Sequence, residues 1–214
     1  ASDNDFSFED DNGTEYNLDD DGPARRLNSD FGSLRALFKA RRPWGQSTLQ
    51  VHTVFDLAHR GIPGIGNNQS LSTRYDNWRD VVEVQLFGVA PVNRAGYRLA
   101  AYHVIQQSEY KDLVGEVGTG TQHERNSTRA WGGRAEVNTL LPRQSLLTAF
   151  AHGRRESFEP DDLLRAQSRL LPSRRHSGAV GSEVEIPLRR RFYFNAGSQV
   201  EVLQDRLFAQ SSSI

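Results

Sequence analysis

Apolar residues recur at every second position in several long runs, and this alternation constrains the fold more than any other feature of the sequence. Between residues 180 and 188, the even positions include Val180, Val184 and Leu188, whereas Glu183 and Glu185 occupy odd positions. Successive side chains of a β-strand point to opposite faces of a sheet. The pattern therefore predicts strands with one apolar face and one polar face.

The same period occurs in residues 47–59, 82–88, 97–105, 131–139 and 192–202. Runs of about 9–14 residues exceed the ~5–6 of an ordinary soluble strand and suit a tilted strand that crosses a membrane. We predict an all-β, antiparallel up-and-down meander of about eight strands over residues 32–208. Residues 1–31 are expected to form a polar loop region with a short strand near residues 5–8.

The connections between the predicted strands alternate in length. Short turns are predicted at 41–46, 90–96, 140–145 and 187–192, and longer polar loops at about 61–76, 109–125 and 154–175. Short turns at one end and long loops at the other are typical of outer-membrane β-barrels. A soluble β-barrel or β-sandwich binding module is the main alternative, because mean hydropathy is −0.63 and 25% of residues are charged. A small closed eight-stranded membrane barrel, or an outer-membrane enzyme, is the third.

The composition of the chain excludes several kinds of functional site. The sequence has no cysteine and a formal net charge of −1, which excludes thiolate sites and gives no field that would attract nucleic acid. No run of about 18–20 apolar residues occurs, so no transmembrane helix is predicted. The histidines are scattered and form no H-E-x-x-H motif, and G-x-S-x-G is absent. We therefore predict no catalytic site, no cofactor and no metal site, and we interpret the acidic run at 9–21 as a solvated loop rather than a Ca²⁺ site.

Aromatic and basic residues lie near the predicted strand ends. The aromatic residues there are Trp44, Trp78, Tyr97, Trp131 and Tyr193. They suit the aromatic girdle of a membrane barrel and equally suit ordinary strand-end aromatics. Basic pairs at 154–155 and 174–175 and the run at 189–191 have two interpretations, which are plain solvation and contact with anionic lipid headgroups.

Two stretches carry a more specific pattern. The first is NDFSFEDDNGTEYNLDDDGPARRLNSDF at 4–31, and the second is HRGIPGIGNNQSLSTRYDN at 59–77. Together they resemble the barrel of TonB-dependent outer-membrane receptors. The matching residues are Asn4, Asp5, Phe6, Asp11, Asn12, Gly13, Thr14, Arg26, Asn28, Ser29, Asp30, Phe31, Gly61, Pro63 and Gly64. The resemblance covers about the first third of the chain, and the remainder matches only in strand rhythm.

The resemblance implies a location in the bacterial outer membrane and import of a scarce nutrient such as a siderophore, a metal chelate or cobalamin. It implies as partners the membrane lipid, the nutrient, and TonB acting through a plug domain that these residues do not contain. Such barrels have 22 strands, so residues 1–214 are expected to be a partial barrel. Eight or nine strands leave two open sheet edges, so the isolated chain is expected to aggregate or associate edge to edge.

The loop at 61–76 is the predicted ligand-binding segment, because it is polar and opens with several glycines. The residues expected to bind ligand through hydrogen bonds are Asn67, Asn68, Gln69, Arg74 and Tyr75. The alternative is that this loop gates or caps the barrel without binding ligand.

Overall fold

A computed structural model describes residues 7–11, 13–14, 16–19, 21–65, 68–91, 95–118, 120–164, 171–189 and 192–207. Eight long antiparallel strands form one sheet in the order β3-β4-β7-β8-β9-β10-β11-β12. This arrangement confirms the predicted all-β meander of eight strands. The sheet is not closed into a barrel, because β3 and β12 each pair on one side only among the described residues.

The strands of the sheet are 14 to 19 residues long. They are β3 (Phe31–Trp44), β4 (Ser47–Gly61), β7 (Arg74–Val89), β8 (Gly96–Asp112), β9 (Gln122–Leu140), β10 (Leu146–Asp162), β11 (Ser173–Arg189) and β12 (Phe192–Leu207). Two small hairpins lie outside the sheet, made by β1 (Ser7–Asp10) with β2 (Gly22–Arg25) and by β5 (Gly64–Ile65) with β6 (Asn68–Gln69). The strand expected at 5–8 is observed over Ser7 and Phe8, within β1, and positions 5 and 6 lie outside the described residues.

The strand ends that flank the four predicted short turns lie at one end of the sheet, which we call the short-turn end; the other end is the long-loop end. The turn predicted at 41–46 was wrong over residues 41–44, because β3 continues to Trp44. The turn between β9 and β10 contains a single 3-10 turn, Pro142–Gln144, in which Arg143 and Gln144 have positive φ angles of 64° and 62°.

The long connections are shorter than predicted. The predicted loop at 154–175 was wrong over residues 154–162, because β10 continues to Asp162. Its register with β9 runs unbroken to the pair Asp162 and Glu124. Charged residues occupy both faces of this part of the strand, so the alternation fades although backbone pairing persists.

Register divides the sheet into two faces. The apolar face carries even positions of β3, β7, β11 and β12 and odd positions of β4, β8, β9 and β10; the polar face carries the others. Val184 pairs with Ala196 on the apolar face, and Glu183 pairs with Gly197 on the polar face. The predicted opposite facing of Val184 and Glu183 is therefore confirmed.

No second layer covers the sheet in the described part of the chain. Every pair of long strands that makes extensive contact in these residues is a pair of sheet neighbours. Within the same residues the buried apolar side chains are limited to Ala95, Ala130 and Ala179. Hydrogen bonding along the strands and contacts between adjacent side chains hold the sheet together, and both faces lack a packed hydrophobic core.

Candidate functional site

Loop segments at the long-loop end pack into one polar unit, which we call the loop layer and define as residues 26–30, 61–65, 68–73 and 112–117. Asn28 organises its first part from a left-handed backbone conformation with φ of 52°, which Asn tolerates better than most residues. Its side-chain Nδ2 donates to the carbonyl oxygens of Ile62 at 3.1 Å and Thr73 at 2.8 Å, and to Ser70 Oγ at 3.2 Å. One side chain therefore ties together both ends of the 62–73 connection.

The two stretches that carry the receptor-like pattern meet in this layer. Arg74 Nη1 lies 2.6 Å from both carboxylate oxygens of Asp30, and the Gly61 N–H donates to the Asp30 carbonyl oxygen at 2.9 Å. A Cβ at Gly61 would overlap the backbone of Asn28. Glycine is needed at position 61 because the two backbones approach so closely.

Glu116 fastens the β8–β9 connection to the loop before β7. Its Oε2 accepts hydrogen bonds from the hydroxyls of Ser70 at 2.7 Å, Ser72 at 3.0 Å and Thr73 at 3.2 Å. The backbone N–H groups of Leu71, Ser72 and Thr73 donate to the same oxygen at 2.8–3.2 Å. These donors, with the Ser70 hydroxyl as the largest cause, lower the pKa of Glu116 to about 2.

Asp112 shapes the turn that presents Glu116. Its carboxylate is fully buried and accepts backbone N–H groups from Gly115 at 2.7 Å, Glu116 at 2.8 Å and Val117 at 2.7 Å. Neither Asp112 nor Glu116 was among the residues singled out from the sequence. The only local signal was the D-x-x-G spacing of Asp112 and Gly115, which is common in turns.

The residues predicted to bind ligand occupy different environments. Asn68 donates from Nδ2 to the Glu116 carbonyl oxygen at 3.4 Å, and Gln69 Oε1 accepts the Leu27 N–H at 2.7 Å. Arg74 is paired with Asp30, as described above. Tyr75 lies apart from them on the polar face, where the guanidinium carbon of Arg60 sits 4.6 Å from its ring centroid. Asn67 lies outside the described residues.

The polar face carries cross-strand and same-strand ion pairs. Arg35 pairs with Asp56, Arg175 Nε lies 2.7 Å from Asp205 Oδ1, and Arg134 Nη2 lies 2.7 Å from Glu136 Oε2. Aromatic rings of this face cover two glycines, with Tyr102 over Gly132 and Phe150 over Gly181. The face is therefore compatible with contact with water along its length.

The apolar face carries a continuous hydrophobic band. One register row crosses all eight strands without a charged residue, through Ala40, Val51, Val84, Ala101, Gly133, Gly153, Gly178 and Val202. Large side chains of the band are open to their surroundings, with Leu34 58%, Trp131 60% and Val200 63% exposed. Asp80 is an exception inside the band, and its carboxylate accepts the Thr53 hydroxyl at 3.3 Å.

This band runs obliquely to the rows of paired residues. On β3 its last apolar side chain toward the long-loop end is Leu34, and on β11 it is Val180. The row through Val180 reaches β3 at Arg42, eight residues from Leu34 (42 − 34), after six strand-to-strand steps. With a rise of about 3.3 Å per residue and a strand spacing of about 4.8 Å, the band is inclined by about 42° between β3 and β11.

The described residues contain no group of three or more His, Cys, Asp or Glu side chains placed to hold a metal ion. Near the acidic run, Asp11 Oδ1 instead accepts the Gly13 N–H at 3.1 Å in a local turn. The described residues also include no helix with the length and apolarity to cross a membrane.

Comparison with known proteins adds no relative to this description. No protein-family model, no curated protein and no solved structure matches this chain.

Proposed function

We propose that this chain forms part of the wall of an outer-membrane β-barrel, in a receptor that takes up a scarce nutrient. In this arrangement the apolar face contacts lipid and the polar face lines a water-filled lumen. The observation that carries the proposal is the oblique apolar band on an uncovered sheet. Strands of outer-membrane barrels are tilted by about 35–45°, and the band is inclined to the pairing rows by an angle of the same size.

The height of the band supports the same proposal. Tyr97–Ile105 on β8 and Val180–Leu188 on β11 each span nine residues of the band (105 − 97 + 1 and 188 − 180 + 1). At about 3.3 Å per residue and a tilt of about 40°, nine residues rise about 23 Å, against about 25 Å for the apolar belt of such barrels.

A soluble binding module is less well supported, because its apolar face would need a covering layer. Sheets with one apolar face are stable in water only when that face packs against another element. The described residues supply no such element. Contiguous exposed apolar patches on soluble monomers rarely exceed a few hundred Å², whereas this hydrophobic band crosses eight strands.

Membrane insertion is tested by mixing the refolded chain with phosphatidylcholine vesicles and centrifuging through a density gradient. We expect the chain to float with the vesicles, and we expect lipids that carry a bromine on the acyl chain to quench its tryptophan fluorescence. Two of the three tryptophans, Trp44 and Trp131, are large exposed side chains of the apolar face. A monodisperse chain that remains in the aqueous fraction and melts cooperatively would contradict the proposal and support the soluble module.

The uptake role draws its support from the loop layer, where the two receptor-like stretches contact each other. The candidate nutrients are a siderophore, another metal chelate and cobalamin, with ligand contacts in the 61–76 segment. In a receptor that contains this chain, deletion of residues 64–72 should weaken uptake of a radiolabelled ferric siderophore or of cobalamin while barrel assembly persists. Unchanged uptake of every probe would remove this loop from ligand capture.

A further inference from the structure

Four arginines lie close together on the apolar face where the band ends on β9–β12. They are Arg129, Arg155, Arg174 and Arg206, and we call them the basic patch. One register row joins Arg129 through Ser157 to Arg174 and Arg206. The adjacent row places Arg155 between Trp131 and His176. The patch therefore lies directly beside the hydrophobic band on the same side of the sheet.

Three arginines on the opposite face of β9, β10 and β11 behave differently. Arg134, Arg154 and Arg175 each form an ion pair with a carboxylate, at N···O distances of 2.5–2.7 Å. In contrast, Arg129, Arg155 and Arg206 are exposed and pair with no carboxylate in the described part of the chain. On the apolar face of β10, the acidic side chains Glu159 and Asp161 lie farther toward the long-loop end. Arg129, Arg155 and Arg206 therefore present positive charge that no carboxylate of the described residues pairs with.

A shallow groove of about 630 Å³ adjoins this charge. Apolar residues of the band line it, including Val82, Val84, Ala101 and Trp131, and Arg155 and His176 lie on its border. The His103 ring stacks on Trp131 with 3.9 Å between centroids, which holds the indole at the edge of the groove. Gly153 contributes no side chain to the lining, so the groove remains open toward the patch.

We propose that the basic patch and the groove together bind an anionic, phosphate-bearing lipid, with its headgroup on the arginines and an acyl chain in the groove. Guanidinium groups match phosphate geometry through paired N–H donors. The boundary of a membrane-spanning band is also the depth at which lipid headgroups lie. This inference rests on the proposed membrane location and specifies which lipid the wall selects and where.

Trp131 provides a local reporter for the test. Trp44→Phe and Trp78→Phe leave it as the single tryptophan of the three in the chain. It lies on β9, an inner strand, so association through the edge strands leaves its surroundings unchanged. The chain is refolded into phosphatidylcholine vesicles that contain a small, equal fraction of brominated phosphatidylglycerol or brominated phosphatidylcholine. We expect the brominated phosphatidylglycerol to quench Trp131 more strongly at low salt.

Matched variants assign this preference to the patch. In Arg129→Gln/Arg155→Gln/Arg206→Gln the preference should disappear, with each arginine worth about fivefold in local lipid enrichment. In Arg134→Gln/Arg154→Gln/Arg175→Gln, which removes the same charge from the polar face, it should persist. Equal quenching by both lipids in the parent chain, or equal loss in both variants, would overturn the inference.

Two further outcomes separate this inference from neighbouring ones. If neither brominated lipid quenches Trp131, the apolar face does not contact lipid, and the proposed function fails along with the inference. If inorganic phosphate abolishes the preference while chloride of equal ionic strength leaves it intact, the arginines bind free phosphate, and the assignment to lipid is overturned. Persistence of the preference in inorganic phosphate supports the lipid.

Discussion

The side chains on the two faces of this sheet have different surroundings. On the polar face, several charges are paired within the protein, as Arg175 is with Asp205, and the rings of Tyr102 and Phe150 lie over Gly132 and Gly181. On the apolar face, large side chains remain uncovered, and no side chain lies over the glycines at 133, 153 and 178. A face whose charges are paired and whose polar groups can bind water is stable in contact with water. A face with large uncovered apolar side chains needs an external apolar partner, such as lipid.

The difference between the faces is tested most directly by placing the same charge at two adjacent positions of one strand, one on each face. Val184→Arg puts a guanidinium on the apolar face and should cost about 2–4 kcal/mol of folding free energy in vesicles if the site lies near the bilayer midplane. Glu183→Arg puts it on the polar face and should cost little. Urea titration of a vesicle-folded receptor that contains this chain measures both, and equal costs for the two variants would refute the assigned facing.

Glycine substitutions probe the same contrast with uncharged atoms. A Cβ at Gly181 would lie 2.6 Å from the Phe150 ring and 2.8 Å from the Ser198 carbonyl oxygen, so Gly181→Ala should destabilise the sheet by about 1–3 kcal/mol through overpacking. Gly153→Ala is the control, because its Cβ meets only the Ser177 carbonyl oxygen at 4.0 Å. Its stability should stay within about 0.5 kcal/mol of the parent chain. A larger cost for Gly153→Ala would show that the apolar face is more tightly packed than described.

The smallest expected effect is confined to the loop layer and depends on pH. The folded pKa of Glu116 is about 2, below the ~4.3 of an unfolded glutamate. Its contribution to stability is therefore complete above about pH 4.3 and is lost as pH falls toward 2. Amide hydrogen exchange at Leu71, Ser72 and Thr73 should remain slow at pH 5 and accelerate in more acidic solution, after correction for intrinsic exchange.

Glu116→Gln should accelerate the same amides at pH 7 and remove their acid dependence, while strand amides of β4 and β9 remain protected. Glu159→Gln serves as the control, since Glu159 is an exposed glutamate outside the loop layer. Retention of slow exchange in Glu116→Gln would mean that the carboxylate does not hold this loop.

The sequence predicts which side chains share a face of the sheet, because runs such as 180–188 alternate between apolar and polar residues. The extent of β10 was not predictable, because residues 154–162 carry charge on both faces and their strand character comes from backbone pairing with β9. The contact of Glu116 with Ser70 joins residues 46 positions apart, and no local pattern encodes it. The candidate ligand residues were chosen for polarity alone, which does not distinguish a group that is free for ligand from one, such as Arg74, that is paired with Asp30.

The row of glycines at 133, 153 and 178 has a mechanical consequence. These residues are direct partners on β9, β10 and β11, so a line without side chains runs across three strands on the apolar face. Glycine kinks are one means by which sheets acquire sharp curvature. We therefore expect the sheet to bend more easily at β9–β11 than at β3–β8, where no such row of paired glycines occurs in the register. A barrel wall that contains this sheet should therefore curve most sharply at β9–β11, beside the basic patch.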